Sequence, residues 1–351
     1  MRTFKITILI IISGFAFLLQ GCLDINSISQ VNSDGSILRT IVITGDSTAI
    51  FTGKYPFMID STWERTTEFI QEKKQYKLTV KKLFRTVEDM NAALSGVFSK
   101  TLQYRFEFEK SFQWFFTVYR YNEVNIPFIQ YRSIPLSDFV TAEEIESYRK
   151  YQIDKIPFQS KEDSLSLIAS AERGEEWESR NRFEAIFKVF LSGVQSLNNP
   201  SLVVSSVEQR KEFLYKGSVE ESDNFKEKKL DSLRFIFASL LKSSLVHQVW
   251  EAQAKEFTEI KEKLTFEEKT GENSYTTSVV MPGLITKTNA GTIEGNKATW
   301  KDFLEYSKIF EYTMWVESRQ VNWWAVILTG VIVSALLIGV AVSMIAKRKR
   351  R

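Results

Sequence analysis

The sequence predicts an α+β fold: an antiparallel, β-rich ectodomain with a large inserted helical subdomain, plus one C-terminal transmembrane helix. Three observations predict this fold. Apolar and polar residues alternate, as in strands, within residues 22–136 and again within 269–320. Residues 137–268 between them have helical periodicity and many charges. A run of 24 uncharged residues, 323–346, follows near the end of the chain.

The first 21 residues resemble a bacterial lipoprotein signal peptide. Arg2 and Lys5 precede an apolar stretch, residues 6–19, which is shorter than the roughly 20 residues that a membrane-spanning helix needs. Leu-Gln-Gly-Cys at 19–22 resembles a lipobox. The resemblance implies that Cys22 becomes the first residue and is acylated, with palmitate among its acyl chains. The alternative is an uncleaved N-terminal anchor in which the cysteine is incidental.

Cys22 is the only cysteine in the 351 residues. A free thiol in an exported protein tends to form unwanted intermolecular disulfides. Acylation would remove that thiol. It would therefore explain both the position of Cys22 and the presence of only one cysteine in the sequence.

Residues 323–346 are predicted to cross a membrane once. A helix of this length reaches about 36 Å, and the hydrocarbon core is about 30 Å thick. Trp323 and Trp324 lie at one end, where indole rings favour the headgroup layer. Lys347 and Arg348 begin the basic tail 347–351, which the positive-inside rule places in the cytoplasm. We therefore expect an inner-membrane protein, lipid-anchored at its N-terminus and single-pass at its C-terminus, with most of the chain extracytoplasmic (periplasmic).

The predicted span also carries small residues at a spacing of four, which would let a second helix approach closely. These residues are Gly330, Ser334, Ala335, Gly339 and Ser343. The expected partners are therefore membrane lipid and either an envelope protein or a second copy of the chain through the span.

The charge of the chain argues against nucleic acid as a partner. The formal net charge is +3, but the two terminal segments hold seven basic residues and no acid. The remaining residues, with 39 basic and 43 acidic side chains, are mildly acidic. Binding of nucleic acid requires a clustered basic surface, which this composition does not favour.

The first β-rich region begins with a predicted hairpin around residues 32–36, because Asp34-Gly35 suits a tight turn. Residues 60–72 are predicted to form a short helix. Residues 76–84 alternate as a strand, and residues 86–98 are predicted to form a helix.

Residues 102–121 are aromatic and alternating, which predicts a second hairpin with its turn at Glu109-Lys110-Ser111. We expect one face of this hairpin to pack on the core. The alternative is an exposed aromatic face that binds a lipid or a glycan.

The helical region opens with a capping-box motif at Thr141–Glu144. Pro200 and Gly217 are predicted to begin and end a middle helix, and a long helix is predicted over residues 224–265. We interpret this region as a subdomain inserted between strands. A free coiled-coil stalk is the alternative, although the heptads are not sustained. Alternation returns after residue 272, and a last strand is predicted over 308–318.

Several sequence features, most of them turn motifs, resemble those of the LppM-type domain family of bacterial membrane lipoproteins. They are the lipobox cysteine, Asp34-Gly35-Ser36, Met281-Pro282-Gly283, Thr288-Asn289, Glu294-Gly295-Asn296 and Trp300. The resemblance covers the two β-rich regions and leaves out the helical one. It implies an α+β ectodomain at a membrane, without an active site.

The sequence shows no catalytic motif. His247 is the only histidine, and neither a phosphate-binding glycine loop nor a Gly-x-Ser-x-Gly turn occurs. The acidic pairs Glu143/Glu144 and Glu175/Glu176 suit solvated helix faces better than glycoside hydrolysis. A calcium site made only of carboxylates stays open. We expect no cofactor.

The leading hypothesis is a non-enzymatic cell-envelope lipoprotein whose extracytoplasmic domain serves binding or assembly. The first alternative is binding of a lipid or glycolipid in an apolar pocket near the membrane. A carboxylate-dependent hydrolase is the least favoured alternative.

Overall fold

The computed structural model describes residues 23–52, 55–94, 101–153, 156–221, 227–301 and 303–349. The predicted signal peptide, Cys22, Arg350 and Arg351 lie outside these ranges. Within them the fold is α+β, with 11 strands and 11 α-helices.

The strands are β1 Asp24–Val31, β2 Ile37–Gly45, β3 Glu64–Ile70, β4 Gln75–Phe84, β5 Gln103–Gln113, β6 Phe116–Ile126, β7 Ser274–Val280, β8 Leu284–Thr288, β9 Thr292–Glu294, β10 Lys297–Lys301 and β11 Tyr312–Val321. The helices are α1 Ser47–Phe51, α2 Val87–Leu94, α3 Ala142–Tyr148, α4 Lys161–Leu197, α5 Val204–Gln209, α6 Lys211–Glu221, α7 Glu227–Leu241, α8 Leu245–Ala252, α9 Ala254–Glu272, α10 Leu304–Ser307 and α11 Trp323–Lys349.

The strands form two sheets, both mainly antiparallel. The larger has the order β3-β4-β2-β1-β7-β10-β9, and the smaller has the order β5-β6-β11-β8. β1 and β7 pair in parallel, so the two β-rich regions of the sequence meet in the middle of the larger sheet. Helices α3 to α9 lie between β6 and β7 in the chain.

The two sheets pack face to face as a sandwich with one apolar cluster between them. Ile25 and Ile41 of the larger sheet belong to this cluster, as do Tyr121 and Met314 of the smaller sheet. The strands supply this cluster because alternate residues of each one point toward the opposite sheet.

A second apolar cluster lies among helices α4 to α9. It is rich in aromatic rings, including Phe183, Phe187, Phe190, Phe237 and Trp250. The 37-residue helix α4, about 55 Å long, contributes the first three. A capping box between Ser160 and Asp163 begins this helix.

Contacts between the sheets show that their strands are aligned. Ser318 of β11 donates a hydrogen bond to the carbonyl of Pro282, just after β7. Near the other end of both strands, the Phe57 ring lies 6.3 Å from Tyr104 and 6.4 Å from Tyr275. Tyr104 is level with the start of β11, because Asn125 is the Cα partner of both Tyr104 and Tyr312.

This alignment gives the sandwich two distinct ends. Helix α11 follows β11 at one, which we call the α11 end. Helices α3 to α9 connect the end of β6 to the start of β7 at the other end of the sandwich, which we call the helical end. The ten residues of β11 separate the two ends by about 30 Å.

The first described residue, Leu23, lies at the helical end. Its N–H donates to the side-chain oxygen of Asn273 at 2.9 Å, and its carbonyl accepts from Ser274 N at 2.9 Å. β1 therefore starts at the end of α9 and runs toward the α11 end.

The structure confirms the β1–β2 hairpin, the strand over residues 76–84 and the Thr141–Glu144 capping box. The helix predicted from Thr86 is observed over Val87–Leu94, and Thr86 Oγ1 accepts from Asp89 N at 3.1 Å.

The short helix predicted over residues 60–72 is wrong. Residues Glu64–Ile70 form β3, which pairs along its whole length with β4. Thr66, Thr67 and Phe69 favour extended backbone, and Lys74, with φ of 51°, closes the turn into β4. Backbone hydrogen bonds to β4 stabilise the extended conformation of this segment more than the weak helical spacing of its apolar residues would stabilise a helix.

The predicted turn at Glu109-Lys110-Ser111 is also wrong. β5 continues through these residues, and the turn falls at Trp114 and Phe115. The aromatic residues that follow Ser111 extend the pairing, because they are good strand formers.

Two helix predictions are corrected as well. The long helix predicted over 224–265 is interrupted in the described residues, where α7, α8 and α9 follow each other with Lys242 at φ 51°. Gly217 lies inside α6 rather than at a helix end, and Pro200 precedes α5 by several residues. A Cβ atom on Gly217 would lie 2.7 Å from Leu240 Cδ1, so this glycine permits close packing of α6 and α7.

Candidate functional site at the start of helix α11

Asn322 joins the sandwich to α11 through several hydrogen bonds. Its backbone N–H donates to the Phe115 carbonyl at 2.9 Å, and its side-chain amide donates to the Gln113 carbonyl at 2.9 Å. Its side-chain oxygen accepts from Thr117 Oγ1 at 2.9 Å. The start of α11 is therefore fixed to the turn of the β5–β6 hairpin, with no free linker between them.

Aromatic rings of that hairpin lie against the first turns of α11. We call Phe112, Trp114, Phe115 and Phe116 the aromatic tip. The Phe112 ring stacks on Trp324 with centroids 6.1 Å apart, and the Trp114 ring meets Trp324 edge-on at 5.6 Å. Trp114 Nε1 donates to Thr329 Oγ1 at 2.9 Å.

The aromatic tip remains exposed despite these contacts. Its four side chains are 40–58% exposed, although aromatic residues elsewhere in β5 and β6, such as Phe106 and Tyr121, are buried. Exposed apolar residues that are grouped on one surface usually mark an interaction site.

α11 is long and apolar enough to cross a membrane. The candidate span is Trp323–Ala346, and its apolar side chains are almost all exposed. Trp323 and Trp324 lie at its start, as predicted from the sequence, and both are exposed. Arg348 lies exposed near its other end, and the side chain of Lys347 is outside the described part of the chain.

The small residues of α11 are exposed along the helix. They are Gly330, Ser334, Ala335, Gly339 and Ser343. A Cβ atom added to Gly330 or Gly339 would have no neighbour within 4 Å. Helix association through these residues stays a prediction.

A buried ion pair lies between the two sheets, remote from solvent. Arg39 of β2 donates to both carboxylate oxygens of Glu123 of β6, at 2.7 and 2.8 Å. Arg39 also donates to Ser29 Oγ at 2.5 Å, and Ser29 Oγ shares a 3.1 Å hydrogen bond with the Tyr121 hydroxyl.

The charges of this pair are stabilised by each other. Burial disfavours the charged guanidinium, but Glu123 outweighs it and raises the pKa of Arg39. Burial, together with Glu123, also raises the pKa of Tyr121. The pair is closed to solvent, which suits a structural clamp between sheets better than a catalytic site.

A second cluster of charges joins the helices to the sandwich at the helical end. Arg182 of α4 lies 2.6 Å from Glu178 and 3.2 Å from Glu267 of α9. Lys308, which precedes β11, also pairs with Glu178, and Glu267 accepts from Gln130 N at 2.6 Å. Burial raises the pKa of Glu267, and Arg182 opposes that rise.

A partly apolar cavity of about 210 Å³ lies beside this cluster. Its lining includes Val140, Ile145 and Tyr148 from the α3 region and Tyr306, Ile309 and Phe310 from the α10 region. Ligand pockets usually enclose about 300–1,000 Å³, so this cavity is small. It lies at the helical end, because Phe310 is close to the start of β11.

Of the residues considered for chemistry, Glu144 and Glu175 line this cavity, and His247 lies apart from it. His247 of α8 is half-buried against the Phe235 ring at 5.3 Å. Glu144 caps α3 and pairs with Arg173, and Glu176 pairs with Arg180. Within the described ranges no group of three or more His, Cys, Asp or Glu side chains is arranged to hold a metal ion.

The turn motifs behind the family resemblance have structural roles. Asp34-Gly35-Ser36 forms the β1–β2 turn, in which Asp34 accepts from Ser36 N at 3.0 Å. Asn289 Oδ1 accepts from Trp300 Nε1 at 3.1 Å and from Trp315 N at 2.9 Å, which links the two sheets. Residues of this kind shape a fold without indicating a reaction.

No protein-family model, no curated protein and no solved structure matches this chain.

Proposed function

We propose that the chain is a non-enzymatic cell-envelope lipoprotein. α11 anchors it in the inner membrane, Cys22 carries an acyl group, and the described residues before α11 are extracytoplasmic. The helical end serves binding or assembly with an envelope protein. The observation that carries the proposal is the position of α11 and of helices α3 to α9 at opposite ends of the sandwich. A sandwich anchored by α11 with its strands perpendicular to the bilayer would hold those helices about 30 Å from the bilayer surface.

The helical end also offers a surface for a partner. Ile156 and Phe158 precede α4, and Leu165 and Ile168 lie one turn apart near its start. All four are more than 40% exposed. Residues three apart share a helix face, so Leu165 and Ile168 form one apolar patch that a partner could bury.

Binding of a lipid or glycolipid has less support. The cavity beside Tyr148 and Tyr306 is the apolar space that such a ligand would need, but about 210 Å³ accommodates only a fragment of an acyl chain. It also lies at the helical end, about 30 Å from α11 along the strands. A pocket for membrane lipid would be expected at the other end.

Labelling in spheroplasts tests the topology. Single cysteines replace Leu165 or Arg348 in a chain that also carries Cys22→Ser. A membrane-impermeant maleimide is expected to label the cysteine at 165 in intact spheroplasts and the cysteine at 348 only after permeabilisation. Labelling at 348 in intact spheroplasts would overturn the proposed orientation.

Photocrosslinking in cells tests the assembly role. A benzophenone amino acid at Leu165 or Ile168 is expected to give one reproducible crosslinked protein, because the patch would be buried in the complex. The matched control is Gln195, an exposed polar residue farther along α4. Equal crosslinking at Leu165 and Gln195, or crosslinks to lipid alone at Leu165, would contradict a specific protein partner.

A further inference from the structure

We propose that the aromatic tip enters the lipid–water interface beside α11, in the leaflet that faces the ectodomain. This inference rests on the proposed anchoring of the chain by α11. It names lipid as the partner of the exposed rings, and it makes the β5–β6 hairpin a second attachment of the sandwich to the bilayer.

The first argument is continuity between the tip and the candidate span. Asn322 holds the hairpin turn at the first residue of α11, and Phe112 and Trp114 pack on Trp324. A bilayer that surrounds Trp324 would therefore meet both rings. Indole and phenyl rings are stabilised at the interface, where one side is apolar and the other hydrated.

The second argument is depth. Thr329 lies six residues after Trp323, about 9 Å further along the helix axis. The interfacial layer on each side of the hydrocarbon core is about 5–8 Å thick. With Trp323 in the outer part of the headgroup layer, Trp114 would reach the edge of the hydrocarbon.

The third argument is hydrogen bonding. An indole N–H without a partner is costly in an apolar medium. Trp114 Nε1 already donates to Thr329 Oγ1, and the Gln113, Trp114 and Phe115 carbonyls at the turn accept from Asn322. These polar groups of the tip are thus paired within the protein, as a lipid environment requires.

The fourth argument is the pattern of charge. Residues 112–116 carry no charged side chain, and basic residues lie just outside them on β5 and β11, the two strands that flank β6. Lys110 precedes Phe112 on β5, and Arg319 lies two residues before the end of β11. Both would lie near the level of the lipid phosphates. Leu284, which is paired with Arg319 and highly exposed, extends the apolar surface at this end.

Depth-dependent quenching in vesicles tests the inference. The full chain carries Cys22→Ser and one cysteine labelled with the environment-sensitive fluorophore NBD at Phe115, with Phe112 as a second position. The vesicles contain phosphatidylcholine with a minor fraction of phosphatidylglycerol, and spin labels lie either near the headgroup or deep in the acyl chain. We expect NBD at 115 to emit at shorter wavelength and to lose most of its fluorescence to the headgroup-level label.

Two control positions separate the possible failures. NBD at Phe69, an exposed aromatic residue of the β3–β4 hairpin, is expected to remain in water and unquenched. NBD at Ile338, in the middle of α11, is expected to be quenched by the deep label. A quenched probe at 338 with 112 and 115 behaving like 69 would overturn the tip inference alone. An unquenched probe at 338 would overturn the anchoring by α11 itself.

Discussion

The sandwich core and the helical core solve the same packing problem with different chemistry. The sandwich core encloses a bidentate ion pair, Arg39–Glu123, between its sheets. The helical core is built from aromatic rings such as Phe190, Phe237 and Trp250, and its buried charges, Arg182 and Glu267, lie at the boundary with the sandwich.

The difference between the two cores reflects which contacts determine how their sheets or helices are positioned against each other. The two facing sheets present both aliphatic and aromatic side chains to each other. We expect the charge on each sheet to favour the observed alignment, because the two charges pair only when the sheets are aligned in this way. Neighbouring helices are selected by the shape of their rings, which meet at defined angles, as Phe190 and Phe237 do at 82°. Removal of one paired charge should therefore destabilise the sandwich, and added volume at a close contact between helices should destabilise the helical core.

The largest effect is expected for Arg39→Met. This change leaves the Glu123 carboxylate buried without its partner, so we expect a loss of about 3–5 kcal/mol in the free energy of unfolding. Denaturant unfolding of the full chain in detergent, followed by tryptophan fluorescence, measures it. The matched control is Arg105→Met, because Arg105 makes only exposed ion pairs and should cost less than about 1 kcal/mol.

Adding Glu123→Leu to Arg39→Met sharpens the test. With both charges removed, most of the lost stability is expected to return, since a well-packed apolar pair often replaces a buried ion pair at little cost. Similar values for Arg39→Met and Arg105→Met would show that the sandwich does not depend on its ion pair.

A medium effect is expected for Gly193→Ala in α4. The new Cβ atom would lie 2.6 Å from Val249 Cγ1 and 2.8 Å from Gln253 Cγ, and Val249 is fully buried. We expect a loss of about 1–3 kcal/mol from overpacking, measured by the same unfolding experiment.

Gly174→Ala is the control for that change on the same helix. Apart from the neighbouring residues and backbone of α4 itself, no atom lies within 4 Å of its added Cβ, so we expect a gain of about 0.5–1 kcal/mol from better helix propensity. Equal effects at Gly174 and Gly193 would contradict the role assigned to tight packing between α4 and α8.

The smallest effect concerns Glu267 and pH. Burial raises the pKa of Glu267 above its ordinary value of 4.5, although Arg182, Lys308 and the Gln130 N–H oppose the rise and Glu178 adds to it. Between 4.5 and the raised value the folded state binds more protons than the unfolded state. The free energy of unfolding therefore falls as pH rises through this window, by at most about 1.4 kcal/mol per pH unit from this group.

Glu267→Gln lacks this component, so its stability should fall less than that of the unaltered chain as pH rises above 4.5. Unfolding measured at a series of pH values gives the two curves. Parallel curves would show that Glu267 does not titrate differently in the folded and unfolded states.

Much of the fold was predictable from local patterns. The β1–β2 turn at Asp34-Gly35, the capping box at Thr141 and the apolar run of α11 each depend on neighbours in sequence. The partner of a strand is not local. The local sequence of β3 predicts a helix, because it does not show that this segment pairs with β4. Likewise, no periodicity indicates that β1 pairs in parallel with β7, about 250 residues later.

In the candidate site, too, features that depend on neighbours in sequence were predictable, and contacts between distant residues were not. The sequence alone places Trp323 and Trp324 at the start of an apolar run, which is typical of a membrane interface. The structure shows both side chains exposed, and their interfacial role stays a prediction. The aromatic tip was assigned to the hairpin, but its contact with α11 joins residues some 200 positions apart. Arg39 was missed, although it shares its strand face with Ile37, Ile41 and Ile43, and a charge at such a position suggests a buried partner.

The position of Leu23 limits how an acyl group on the preceding residue can be used. The backbone N–H and carbonyl of Leu23 are both hydrogen-bonded at the helical end, so the position of Leu23 is fixed there. One leaflet of hydrocarbon is about 15 Å deep, half the distance to α11 along the strands. With the strands perpendicular to the membrane proposed to hold α11, Leu23 would lie about 30 Å from that membrane, too far for an acyl group on the preceding residue to enter it. With both attachments in one bilayer, the sandwich would have to lie on its side.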